Sequence, residues 1–363
     1  MVVLRRSSAI GNDMEKLNLS GRLIGPHELP YIIAEIGSNH NGDLELCRKL
    51  VETAKECGAD AVKFQSWSKK SLICRAEYAR NVTYEDKVRH FGSLAEMVEK
   101  YQFSVEQHGE IAEFCKKIGI TFLSTPFSPE EVDLLDSLAV ACFKIASMDI
   151  NHLKLLEFVG GKKKPVILST GMASLGEIER AIKVLQGNGS GPIALLHCIS
   201  IYPPQYQNIH LRNIPMLSQA FNLPVGFSDH TIGTAIPLAA IALGACIIEK
   251  HFTLNKEMEG WDHWISADPH ELQTIAFEAK NVFQALGSTV RVVTDAEMEK
   301  RKKFRRRLIV KRHMAKDEIL TEGDIDFKRP GTGIAPDEMR YVIGRRVRRP
   351  LEEDEELEWS DLE

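Results

Sequence analysis

Two histidines, His230 and His251, each close a short apolar, β-prone run, at 225–227 and 246–248, and the residues between the runs carry apolar and small side chains at helical spacing. The segment 225–253 therefore reads as strand, helix, strand. A right-handed crossover makes the strands parallel neighbours, so both histidines come to the edge where α/β proteins place their chemistry. Two imidazoles there suit a divalent ion such as Zn, Mn or Fe, with the remaining coordination positions left to water and substrate. The same spacing also suits two polar side chains satisfied by ordinary hydrogen bonds. The company the histidines keep favours the metal.

That company follows six further β-prone runs, at 31–36, 61–64, 121–123, 142–145, 165–168 and 193–196. Around or just after their ends stand Glu35, Lys63 and Gln65, Thr125, Lys144 and Ser147, Ser169, and the pair His197 and Cys198, with Ser228 just before His230. Amphipathic stretches such as 44–57, 129–138, 152–159 and 175–186 separate most of the runs. Eight βα units make a (β/α)8 TIM barrel, and in that fold one catalytic face gathers hydroxyl, lysine and histidine side chains from all the strand ends.

Composition sets the surroundings. The chain has 363 residues, 44% of them hydrophobic, enough for one large domain and a small one. A net charge of -5 gives no general attraction to nucleic acid or anionic membrane, so an anionic ligand must be met by local charge. Seven scattered cysteines without a CxxC, no membrane-length apolar run and no signal-peptide core make a cytoplasmic enzyme the expectation.

Residues 1–30 read as an N-terminal extension with a hairpin around Ser20-Gly21 that closes the bottom of a 31–290 barrel. The second crossover carries a polar, charged insertion at 68–90, read as a lid or a solvated loop, before helical patterns at 92–101 and 105–118. A helix opens at Asp268-Pro269, 291–306 reads as a linker, and the basic run 297–307 reads as a solvated helix end or linker. From 307 to 363 short strands and turns make a small, mostly β module.

The ordered set EIGSNHNG, KFQ, STPFS, FKIAS, LSTGM, FSDHT, EKHFT and FKRPGTGI resembles the sialic acid synthase family, the PEP-dependent nonulosonic acid synthases, over nearly the whole chain. The resemblance implies a TIM barrel followed by an antifreeze-like (SAF) domain, in a domain-swapped homodimer. It implies condensation of phosphoenolpyruvate (PEP) with the open-chain aldehyde of an N-acylated mannose-type sugar. His230 and His251 match the family's metal ligands, with Mn2+ the usual ion and Mg2+ or Co2+ as alternatives. Lys63, Lys144, Thr125, Ser147, Ser169 and Ser228 match its PEP-binding positions, which suits a ligand of about three negative charges on an acidic protein. Glu35, Gln65, Tyr202 and Asp262 match positions at the sugar end, and Arg329 matches the residue that reaches the partner's N-acyl group.

Three departures bear on the sugar. Ser200 stands where such synthases tend to carry Asn, Asp149 stands where many carry Glu, and Trp264 lies beside Asp262. A diacetamido-trideoxyhexose, the precursor type of legionaminic and pseudaminic acids, is therefore the alternative substrate. The SAF module separates the chain from deoxyoctulosonate and deoxyheptulosonate synthases and from metal-dependent aldolases. An ice-binding reading of that module conflicts with its arginine clusters at 305–312 and 345–349.

Overall fold

The structure, a computed structural model, describes residues 14–363 except 82, 83, 86–89 and 330. It divides into two compact units, ending and beginning at Gly287 and Ser288.

In the first unit eight parallel strands lie in one sheet: Tyr31–Gly37, Ala61–Ser66, Thr121–Pro126, Phe143–Ile145, Val166–Ser169, Ile193–Cys198, Val225–Asp229 and Ile247–His251. The eighth pairs with the first, His251 opposite Glu35, and the third and fourth lie side by side to complete the barrel. Several strands run past the apolar runs seen in the sequence. The polar residues therefore occupy the last positions of the strands rather than the loops behind them. An apolar run ends where the barrel interior changes character, whereas the hydrogen-bonded ladder continues.

That change follows from strand alternation, in which every second side chain faces the barrel axis. Tyr31, Ile33, Ala61, Leu123, Ile167, Leu196 and Ile247 form a lower apolar layer. Two residues further along the same strands come Glu35, Lys63, Thr125, Ser169, Cys198 and Glu249, which line a cavity. The alternate residues, such as Ile32, Ala34, Val62 and Ile248, face the helices in the outer core. Gly226 takes an inward position because a Cβ there would meet Ile247 and Leu196 at 2.6–2.7 Å.

The hairpin Leu17–Leu19 and Arg22–Ile24 buries Leu17, Leu19 and Ile24 against the lower layer, closing the bottom as expected. Its turn residues Ser20 and Gly21 both have positive φ, 52° and 89°, which matches the right-handed twist of a two-residue hairpin. Helices start at side-chain caps: Asp43 for Leu44–Glu56, Ser128 for Pro129–Ser137, and capping boxes of Ser174 with Glu177 and Asp268 with Glu271. Leu44–Glu56 buries Cys47, Leu50, Val51 and Ala54, the i, i+3, i+4, i+7 stripe of an amphipathic helix.

The 68–90 insertion, where described, is more than a solvated loop. Ser71 Oγ donates to Glu131 at 2.7 Å, Leu72 and Ile73 line the cavity, and a short helix spans Arg75–Arg80. Tyr84–Glu85 pairs antiparallel with His90–Phe91, and residues 82, 83 and 86–89 lie outside the described residues. Helices Leu94–Tyr101 and Val105–Ile118 follow, both opened by capping boxes.

The second unit begins with an exposed helix, Asp295–Phe304, inside the stretch read as a linker. Strands Arg307–Val310 and Ile325–Lys328 pair antiparallel over a small core that includes Leu308, Val310, Met314, Ile325, Val347 and Leu357. Arg329 is exposed, its guanidinium 5.2 Å from the Phe304 ring. Neither Gly331 nor Gly333 behind it has positive φ. They serve close approach: a Cβ at 331 would collide with the Glu356 carboxylate and one at 333 would lie 2.6 Å from Leu357 O. Thr332 N–H donates to Glu356 at 3.0 Å, which fixes the loop. No described helix is long and apolar enough to cross a membrane, and all seven cysteines are free.

Candidate active site

The twelve barrel residues singled out from the sequence, all except Arg329 of the second unit, line one cavity of about 570 Å³ at the C-terminal ends of the strands. Its floor is a buried ionic cluster. Lys63 Nζ lies 2.7 Å from Glu35 Oε2 and 3.9 Å from Glu249 Oε2, and donates to Thr125 Oγ1 at 3.2 Å. Lys144 Nζ donates to Ser169 Oγ at 2.6 Å and Ile145 O at 3.1 Å, and stands 3.9 Å from Glu249 Oε1. Ser228 Oγ donates to the same Glu249 oxygen at 2.9 Å, and Gln65 Nε2 donates to Glu35 Oε1 at 3.0 Å.

Burial and pairing divide these groups. Burial raises the Glu35 carboxyl to about 7 even beside Lys63. Burial acts the same way on Glu249, but Lys144, Lys63 and the Ser228 hydroxyl outweigh it and hold the carboxyl below its ordinary value. Lys144 is pulled down by burial, whereas the two carboxylates more than offset burial at Lys63 and raise it. Two lysines and the serine hydroxyls thus face a cavity with one firmly ionised carboxylate, a floor suited to an anion.

Glu249 is the hub of this cluster, yet it is absent from the residues selected by sequence. Alternation was the signal: if His251 faces the axis, so does the residue two before it. Lys250 between them faces outward. Its ammonium is fully buried 2.7 Å from Asp229 Oδ2 and also donates to Thr231 O, while Thr231 N–H donates to Asp229 Oδ1 at 2.8 Å. The clamp grips the backbone on both sides of His230.

His230 and His251 do come together, ring centroids 5.4 Å apart, with the Tyr202 ring 4.0 Å from His230. His230 Nδ1 lies 2.9 Å from Ile199 O, an acceptor, so Nδ1 carries the proton and Nε2 is free to ligate. His251 Nδ1 is buried, without a hydrogen-bond partner among the described residues, and 3.7 Å from Asp262 Oδ2. Burial, then His230, Lys63 and Lys250, hold His251 well below the usual imidazole value, so it is a neutral donor. Burial opposes charge on His230 too, but Cys198, whose Sγ lies 4.0 Å from Nδ1, together with the Ile199 carbonyl and Asp229 outweighs it and the pKa rises. Among the described residues no three His, Cys, Asp or Glu side chains are arranged around one ion. The donor set fits a metal that takes two protein nitrogens.

His40 and His197 are structural. His40 stacks on Phe103 at 3.8 Å and burial drops its pKa to about 3; His197 Nε2 is bonded to Ile209 O at 2.6 Å. Ser147 Oγ accepts from Gly171 N–H at 3.0 Å. Asp149 carries a buried Oδ2 without a partner among the described residues, and burial raises its carboxyl to about 6.

The NeuB family profile matches residues 50–291, and the SAF domain profile matches 305–363. The chain belongs to the NeuB family. It is 42% identical to an N,N'-diacetyllegionaminic acid synthase of Campylobacter jejuni over 89% of this chain and 97% of that protein. It is 32% identical to human N-acetylneuraminate-9-phosphate synthase, over 93% of this chain and 94% of that one. Among solved structures, the N-acetylneuraminic acid synthetase of Leptospira borgpetersenii, in complex with citrate, superposes with a TM-score of 0.72 at 33% identity, covering 79% of this chain and 95% of that one. The barrel with its strand-end cluster is thus the catalytic domain of a nonulosonic acid synthase, and the second unit is its SAF domain.

Proposed function

We propose that this enzyme condenses phosphoenolpyruvate with the open-chain aldehyde of an N-acylated amino sugar, giving a nonulosonic acid and phosphate. The observation that carries this reading is the floor cluster, where Lys63 and Lys144 converge with Thr125, Ser169 and Ser228 beside a histidine pair. Phosphoenolpyruvate brings phosphate and carboxylate to the lysines. Its C3 forms a bond to the aldehyde carbon, whose oxygen takes up a proton, and C2 becomes oxocarbenium-like. Water adds at C2 and loses a proton, and the C2–O bond breaks with phosphate leaving. Glu35, near 7, is placed to exchange a proton at neutral pH.

His230 and His251 would hold a divalent ion, Mn2+ in this reading, which when bound polarises the aldehyde as a Lewis acid. Chelation is expected to abolish phosphate release and Mn2+ to restore it. His230→Ala and His251→Ala should fold but bind Mn2+ weakly by paramagnetic resonance; full activity of either after exhaustive chelation removes the metal from the reaction. The compartment in this reading is the cytoplasm.

The active unit is taken as a homodimer in which Arg329 serves the partner subunit's sugar. Arg329→Ala mixed with Lys63→Ala, after complete exchange of differently tagged subunits, should regain activity; no recovery sinks the exchange. The reaction itself is tested by incubation with PEP, Mn2+ and a panel of amino sugars, reading phosphate and product mass. No phosphate from any sugar would overturn it.

A further inference from the structure

Lys250 and Asp229 break the pattern of the barrel's outer face. They are partners across the seventh and eighth strands, and each stands two residues beyond an apolar side chain, Ile248 and Phe227, that packs in the outer core. Both are buried, with 1% and 0% of their side chains exposed, and the ammonium lies 2.7 Å from Asp229 Oδ2. Neither side chain lines the cavity, and the reaction proposed above uses neither.

Stability alone does not account for an ion pair at this place. Two charges taken out of water regain roughly what their desolvation costs, and apolar side chains of similar volume are often equal or better. What the pair adds is direction, because charge-assisted bonds hold their partners at one distance and angle. A local rule broken in this way points to a position that function needs held.

The position held is that of His230. His251 stays within the ladder, opposite Glu35 of the first strand, and its carbonyl accepts from Ala267 N–H at 2.7 Å. On both sides the ladder of the seventh strand ends before His230, at Ser228 and at Asp229. The ion pair takes over there. Asp229 Oδ1 accepts from Thr231 N–H at 2.8 Å, which closes a turn around His230. Lys250 Nζ donates to Thr231 O, so the eighth strand grips the residue after the histidine. The Ile199 carbonyl, 2.9 Å from His230 Nδ1, then sets the ring.

We infer that the Lys250–Asp229 pair is a positioning device for the two histidines: it fixes the backbone of His230 relative to His251, and with it the reach of the free His230 Nε2 to a shared ion. This rests on the divalent-ion reading proposed above.

The test separates position from stability. Asp229→Asn combined with Lys250→Met removes both charges, keeps similar volumes and leaves an acceptor for Thr231 N–H. Its urea midpoint should lie above that of Lys250→Met alone, which strands a buried carboxylate. Mn2+ binding, read by paramagnetic resonance, should weaken about 10-fold or more in the double variant, while PEP binding by calorimetry without metal changes less than about 2-fold. A pair that served stability alone would lower the midpoint and leave the Mn2+ affinity in place. Mn2+ affinity within about 2-fold of wild type overturns the inference, as does an equal loss of PEP affinity.

The metal-free proteins give an independent reading. With isotope-labelled histidine, the imidazole nitrogen signals of His230, assigned through His230→Gln, should show a single Nδ1–H tautomer in wild type and a mixture of both tautomers in the double variant. If wild type binds no Mn2+, the divalent-ion reading falls and these signals decide the clamp: the same tautomer state in both proteins overturns it. Should the double variant not fold, amide exchange in wild type decides. Thr231 N–H lies beyond the ladder and should exchange as slowly as the strand before it. Exchange at the rate of an open loop overturns the clamp.

Discussion

Glu35 and Glu249 are both buried in the cavity floor, yet their surroundings drive them in opposite directions. Glu35 has one close ammonium, Lys63 at 2.7 Å, and an amide, and burial still raises it to about 7. Glu249 lies farther from any ammonium, 3.9 Å from each of two, yet it is held below its ordinary value. The number of positive charges sharing a carboxylate decides its state here more than the closest distance does. At neutral pH the floor then holds one fixed negative charge, one that is half-protonated, and two lysines. That imbalance favours an incoming anion.

The contrast breaks most visibly at Glu249. Glu249→Gln takes the one carboxylate within 4 Å of the buried Lys144 ammonium, among the described residues, and should cost about 3 to 5 kcal/mol of stability by urea unfolding. Glu35→Gln replaces a group already close to neutral and should cost far less at pH 7. Similar losses in both variants would end the distinction. Next comes the anion itself: Lys63→Met and Lys144→Met should each weaken PEP by about 2 to 4 kcal/mol, seen as a KM raised about 30-fold or more. Unchanged PEP kinetics in both would place the anion elsewhere.

The smallest effect sharpens the Glu35 side. Its folded value lies above the ordinary 4.5, so the native state keeps a proton that the unfolded chain releases. That contribution is complete below about pH 4.5 and is lost as the pH rises toward 7. Wild type should lose up to about 3 kcal/mol relative to Glu35→Gln across that window, at 1.36 kcal/mol per unit. Parallel stability–pH curves for the two proteins would show that Glu35 titrates normally.

Much of this was legible in the sequence because apolar runs and the residues that end them are local signals. The eight strands, the hairpin plug and the convergence of Lys63, Lys144, His230 and His251 follow from them. Glu249 was passed over because attention went to the histidine that ends the motif, although alternation already placed the two on one face. Lys250 shows the converse, since nothing local distinguishes a solvated lysine from one buried on Asp229 behind the sheet. The apolar lining of the cavity, which includes Trp67, Leu94, Met97 and Val98, was invisible for another reason. Trp67 and Met97 are thirty residues apart, and the charged stretch between them reads as surface. Only the packing of the second crossover brings its few apolar side chains onto the cavity.

The hairpin at the bottom has a consequence for traffic. With Leu17, Leu19 and Ile24 seated in the lower layer, the barrel is a blind tube, and everything that reacts must pass one entrance. In the proposed reaction the anion occupies the dead end and the sugar lies between it and solvent. The queue then fixes the kinetic order: PEP enters first and the sugar second, the nine-carbon product departs, and phosphate is last out. Phosphate should therefore compete with PEP and not with the sugar in product-inhibition patterns.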